Sequence, residues 1–293
     1  MTGFSLCLAR SGGAKSVESE RRLQGSHSHS AASLGTFVAE HSKSRMNPFP
    51  LPIPEKLPAR IYPCPIVEAA VELRFVSAEP WRNMPGLIEP KLRERYPQVS
   101  ELPLNQFPEQ FRIQDASFTY QPLLQYSGPE FLIRFGPRVL SLIAHTHRYP
   151  GWLHFREELD WLWAQAAAAG FVQEGERLGV RYVDFFDEDI FSNVVLGVAV
   201  AGRGIAGFEQ NFSIVIPWER ALARLLLANS VFLKVGAEPR RGSVLDLDVW
   251  IRLSAESVFE DLAKQVEHLH EVNKTLFFGL LKPEFLSRLN PAY

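Results

Sequence analysis

The sequence predicts an α+β fold, mostly antiparallel sheet covered by long helices, and three observations carry that expectation. Residues 66–76 alternate with a period of two. Val67, Ala69, Val71, Leu73 and Phe75 fall on one side, and Glu68, Ala70, Glu72 and Arg74 on the other, as a half-buried strand requires. Trp152, Phe155, Leu159, Leu162, Trp163 and Ala166 instead recur at helical spacing. Strand-like runs also follow one another without crossover helices, which disfavours a doubly wound nucleotide-binding sheet.

The elements follow in order. A short amphipathic helix is expected at 87–96, ended by Pro97, although Pro90 sits near its start. Runs at 111–113, 118–126, 130–135 and 139–147, separated by Ser127-Gly128-Pro129 and Gly136-Pro137, predict antiparallel strands joined by tight turns. The helix from Trp152 should stop at Gly170. A second cycle then opens with a strand at 177–186 and an irregular stretch to Gly207. Strands at 208–217, 225–235 and 243–253 follow, and a helix at 255–281 closes it, with Ser254 as its cap and Val258, Leu262, Val266, Leu269, Val272 and Leu276 as its stripe.

Read this way, the chain suggests two similar α+β halves, 66–172 and 173–293, ordered β-α-β-β-β-β-α and then β-β-β-β-α. A single curved sheet is the alternative. Before them lies a Pro-rich extended arm, 46–65, with seven prolines between Pro48 and Pro65. Residues 1–45 hold ten serines and five glycines without Trp or Tyr, the composition of a disordered leader. The abrupt change at Met46 favours translation starting there rather than at Met1.

Composition excludes several classes. Of 293 residues, 46% are hydrophobic and 22% charged, an ordinary globular balance. No apolar run reaches the roughly 18 residues a membrane helix needs. Cys7 and Cys64 are the only cysteines, too few for a disulfide scaffold, so a reducing cytoplasm is the expected location. After residue 45 the chain holds 25 basic and 30 acidic groups, which argues against nucleic-acid binding through Arg134, Arg138 and Arg148.

Candidate chemistry is sparse. His145 and His147 share one strand face and are the metal-ligand candidates, with His154 and Glu158 nearby; the other reading is a solvated strand end. Asp246 and Asp248 project from one face of their strand. With Arg181 they could serve acid–base or metal-assisted chemistry, or they could pair with arginines of neighbouring strands such as Arg181 and Arg74. Arg74, Arg181 and Asp184 are the ligand-binding candidates. No Walker A or Gly-x-Ser-x-Gly motif is present. Gly202-Arg203-Gly204-Ile205-Ala206-Gly207 spells a dinucleotide fingerprint but enters a strand, so no helix N-terminus cradles a phosphate and no cofactor is expected.

Four stretches also carry a resemblance. They are Pro65-Ile66-Val67-Glu68-Ala69 running into Leu73-Arg74-Phe75; Gly151-Trp152 with Phe155-Arg156-Glu157-Glu158; Arg177-Leu178-Gly179-Val180-Arg181-Tyr182-Val183; and Leu245-Asp246-Leu247-Asp248-Val249-Trp250. In order and spacing, residues 63–289 resemble a sporadically distributed family of uncharacterised prokaryotic proteins, the sporadTIGR type. The family usually has Asn where this chain has Asp184. The resemblance transfers no catalytic residue; the family's patchy occurrence implies a mobile accessory or defence-linked role. The expectation is a cytoplasmic binding or regulatory protein acting through a protein partner, the alternative a metal-assisted hydrolase or nuclease.

Overall fold

A computed structural model describes residues 51–144, 149–204, 207–235, 238–253 and 258–293. The strand β1 (Ile66–Ser77) runs where its alternation places it, with Val71, Leu73 and Phe75 buried on one face. Helix α1 (Met84–Arg95) starts earlier than expected and continues through Pro90, with Pro85 in its first turn. A short β2 (Gln98–Glu101) follows.

Residues 103–118 depart from the expectation. In place of strands at 111–113 and 118 there is a 3₁₀ turn at Pro103–Gln106, a single-turn α2 (Glu109–Arg112) and a second 3₁₀ turn at Ala116–Phe118. The reason is local: Pro103 and Pro108 stand at helical starts, and the Asp115 carboxylate accepts from the Ser117 amide. Strand structure resumes at β3 (Leu124–Ser127), β4 (Phe131–Gly136) and β5 (Val139–Ala144). Gly136 at the β4–β5 turn is required by close approach, because a Cβ there would lie 2.6 Å from the Gln121 carbonyl.

Helix α3 (Trp152–Ala169) buries the predicted stripe and ends at Gly170 with φ 69°. Then come β6 (Val172–Phe186), a 3₁₀ turn at Ile190–Ser192, a hairpin of β7 (Ala199–Val200) and β8 (Arg203–Gly204), and the strands β9 (Asn211–Trp218), β10 (Ala221–Val235) and β11 (Glu238–Arg252). The last helices are α4 (Leu262–Leu280), within the span expected at 255–281, and α5 (Pro283–Arg288). The proposed cap Ser254 lies outside the described residues.

The strands form a mostly antiparallel α+β arrangement, but not two separate halves. The opening strands of the supposed units, β1 and β6, pair with each other from Ile66↔Asp184 to Ser77↔Val172. Nine strands therefore make one sheet in the order β2-β3-β4-β5-β1-β6-β11-β10-β9. A shared core explains the joining: Val71, Leu73, Val180, Leu178, Leu247 and Val249 point to the same side and enter one buried cluster. Helical cover is also narrower than expected, with α3 lying on α1 and β5 and α4 on β6 and β11.

The Pro-rich arm, described from Leu51, packs Leu51, Leu57 and Ile61 against the core cluster. Its backbone pairs with the C-terminal segment, where the amides of Ala59 and Arg60 donate to the Ala292 carbonyl at 2.6 and 3.3 Å. Among the described residues no helix is long and apolar enough to cross a membrane.

Candidate functional site

The face of the sheet opposite α3 and α4 carries charge at its centre. Alternation forces this placement: where Leu178, Val180 and Tyr182 enter the core, Arg177 and Arg181 must leave it. The same logic puts Glu68, Glu72 and Arg74 of β1, and Asp246, Asp248 and Trp250 of β11, beside them.

Each arginine reaches along the sheet to carboxylates on both neighbouring strands, Arg181 by one pleat and Arg177 by one pleat to Glu72 and two to Asp248. Arg181 stands level with Ala70 and Asp248. Its Nε and Nη2 nevertheless donate to both Asp246 oxygens at 2.8 Å, and its Nη1 donates to Glu68 at 3.0 Å. Arg177 repeats the pattern, with Nη2 at 2.7 and 2.8 Å from the Asp248 oxygens and Nη1 at 3.2 Å from Glu72. Arg74 donates to Glu72 at 2.8 Å, and Arg224 of β10 lies 3.7 Å from Asp248. These pairs are fixed because they are shielded: the side chains of Glu68 and Asp246 are each 9% exposed, against 31% for Arg181. Burial works against the Arg181 charge, but the hydrogen bonds and charge of Asp246, with the charges of Glu68 and Asp248, hold its pKa above the ordinary value.

Two aromatic rings bound the array. Trp250 lies under the Arg177 guanidinium at 5.0 Å, and Tyr120 under those of Arg74 and Arg138 at 4.6 and 5.3 Å. Arg138 also pairs with Glu176. Gly179 explains how Arg177 lies flat: a Cβ there would meet its Nη1 at 2.6 Å. Gly179→Ala is therefore expected to push Arg177 off Asp248 and cost about 1–3 kcal/mol in charge-assisted hydrogen bonding. A double-mutant cycle in urea checks it, since Arg177→Ala should add little once Gly179 carries a methyl group.

Of the sequence candidates, Arg74, Arg181, Asp246 and Asp248 come together on this face; Arg181 bonds Asp246 directly, while Glu72 and Arg177 link Arg74 to Asp248. A cation at Asp246 or Asp248 would have to displace a guanidinium held by both oxygens. Asp184 does not join them. It turns to the core side beside Tyr182, 2% exposed, and burial reinforced by the Asp246 charge pushes its carboxyl well above the usual range. The native state keeps a proton that the unfolded chain releases near pH 4, so stability falls as pH rises from there to the folded pKa. Asp184→Asn is expected to flatten that part of a plot of urea midpoint against pH.

His145, His147 and Arg148 lie outside the described residues. The two groups expected to converge with the histidines are engaged elsewhere, His154 with Glu130 at 3.0 Å and Glu158 with Tyr96 and Arg95 at 2.8 Å. Among the described residues no group of three or more His, Cys, Asp and Glu side chains could hold a metal ion. No protein-family model and no curated protein matches this sequence.

One cluster was not anticipated. Tyr149, Tyr182 and His270 form a chain inside the core, with the hydroxyls 3.3 Å apart and Tyr182 Oη 3.0 Å from His270 Nδ1. The Trp152 ring stacks on His270 at 3.9 Å, and its Nε1 donates to Glu267 at 3.1 Å. Burial, with Lys274 adding to it, holds the imidazole neutral with its pKa pushed down to about 3. The spacing of Trp152 and His270 on two separate helices left no readable signal, because their contact depends on how α3 and α4 pack.

Proposed function

We propose that this chain is a cytoplasmic binding or regulatory protein that seats a protein partner on the open face of its central sheet. One observation carries the reading: two acid–arginine–acid sets, Glu68–Arg181–Asp246 and Glu72–Arg177–Asp248, sit side by side on a partly solvated face bordered by Trp250 and Tyr120. Pre-ordered charges and aromatic rims suit protein recognition, since little side-chain freedom is left to lose on binding. Charges of both signs sit together there, which gives a polyanion no net field to follow. Membership of the sporadically distributed prokaryotic family, and with it a mobile or defence-linked accessory role, belongs to the same proposal.

Co-purification from the native host tests it. A partner that stays with the wild-type chain and is lost from Trp250→Ala is the expected result. A chain that is consistently solitary and turns over small molecules rejects it. The alternative, metal-assisted hydrolysis through Asp246 and Asp248, rests on their shared face. Calorimetry with Mg²⁺, Mn²⁺ and Zn²⁺ decides it, because wild type and Asp246→Ala/Asp248→Ala should then differ.

A further inference from the structure

The strand β9 ends the sheet. One edge pairs with β10, and among the described residues the other pairs with no strand. The outward peptide groups can be identified from Pro217, which lies opposite Leu222. Proline has no N–H, so this must be a non-hydrogen-bonded pair, and alternation then turns the peptide groups of Asn211, Ser213 and Val215 away from β10. The Asn229 amide donating to the Gln210 carbonyl at 3.2 Å fits the same phase.

The two ends of the sheet differ in how they resist pairing. The strand β2 is four residues long, follows Pro97 and ends in the acidic Glu101, all features that blunt an edge. The strand β9 is eight residues long and carries no charged side chain, and its one blunting residue, Pro217, stands next to its end. Phe212 and Ile214 remain half-buried on the helix side, and Val215 is 51% exposed on the other.

We propose that β9 pairs antiparallel with β9 of a second copy about a twofold axis at Ser213, continuing the sheet across two subunits. A strand without charge meets no like-charge opposition from its own copy, and an isologous contact closes as a dimer. The register follows from Pro217. Centring on Ser213 places Asn211 opposite Val215 and Phe212 beside Ile214, and it leaves Pro217 opposite Glu209, beyond the strand. Centring on Ile214 would set Pro217 opposite Asn211 and lose a ladder bond at each end. This self-association goes beyond the partner-binding reading and stands without it.

Sedimentation velocity on the full chain over a range of concentrations tests the proposal. The expected result is a dimer whose association Val215→Lys weakens about tenfold or more, while Phe111→Lys, in the separate exposed apolar segment, leaves it intact. Circular dichroism checks that both variants keep the fold. In a Cys7→Ser/Cys64→Ser background, Ser213→Cys should cross-link on the axis under mild oxidation, which keeps the test open should the lysine variant not fold. A monomer at every concentration, a dimer indifferent to Val215→Lys, or an absent Ser213→Cys cross-link overturns it. Each of these outcomes leaves the co-purification result untouched.

Discussion

Arg181→Ala is expected to lower stability by about 3 kcal/mol, one of the larger single-site effects in this chain. The loss is not chiefly that of the ion pair itself. Glu68 and Asp246 are 8% and 6% exposed, and without the guanidinium two shielded carboxylates face each other with nothing to balance them. The partial exposure of Arg181 places the figure at the low end of the range for buried pairs. The sign of its pH dependence separates this account from simple loss of packing. An orphaned carboxylate takes up a proton more readily in the folded than in the unfolded chain, so the deficit of the variant should shrink as pH falls toward 4. Urea midpoints at pH 7 and pH 5 give the measurement. A deficit that does not change with pH removes the electrostatic explanation. Replacing Glu68, Arg181 and Asp246 together by apolar residues of similar size should recover most of the stability.

Acid should destabilise the protein through His270. Its folded pKa is about 3, while an imidazole in the unfolded chain titrates near 6.5. Between those values the unfolded state binds a proton that the native state refuses, so stability rises with pH across the window and is lost as pH falls through it. The full difference corresponds to about 4–5 kcal/mol, most of it gone by pH 4. His270→Phe keeps a ring against Trp152 and removes the titrating group, though it also leaves the Tyr182 hydroxyl without its 3.0 Å acceptor. The variant should therefore start less stable at pH 7 and lose less on acidification. Parallel curves for the two proteins between pH 7 and pH 4 would refute the assignment.

Sequence patterning exposed the parts of this architecture in which one element decides its own state. The alternation of β1, the stripe of α3 and the runs inside β6 and β11 each formed on the expected span, although β6 and β11 begin earlier and also bury Val183, Phe185 and Val244 on their second side. Residues 103–118 misled because Phe111, Ile113 and Phe118 read as strand residues, yet all three remain exposed and prolines set the backbone around them. The candidate site was half legible. That Asp246 and Asp248 share a face follows from period two, and their pairing with neighbouring arginines was one of two open readings. That Arg177 rather than Arg74 takes Asp248 follows from β6 lying between β1 and β11, with Gly179 leaving room for the guanidinium, and strand order is not written in any strand alone. The pairing of β1 with β6 was hidden for the same reason, and without it two units looked as plausible as one sheet.

That central pairing has a kinetic side. Ile66 meets Asp184 and Leu245 meets Asp184 from the other side, so the middle of the molecule joins segments that lie far apart along the chain. The hairpins β4–β5 and β10–β11 close short loops and can form early, whereas the middle must wait for two long loops to close at an entropic cost. Refolding is accordingly expected in the millisecond-to-second range of proteins dominated by distant contacts, observable by stopped-flow tryptophan fluorescence. During synthesis β1 emerges long before β6, and until β6 arrives the polypeptide carries this central ribbon with one side unmatched, the interval in which a chaperone would have most to shield.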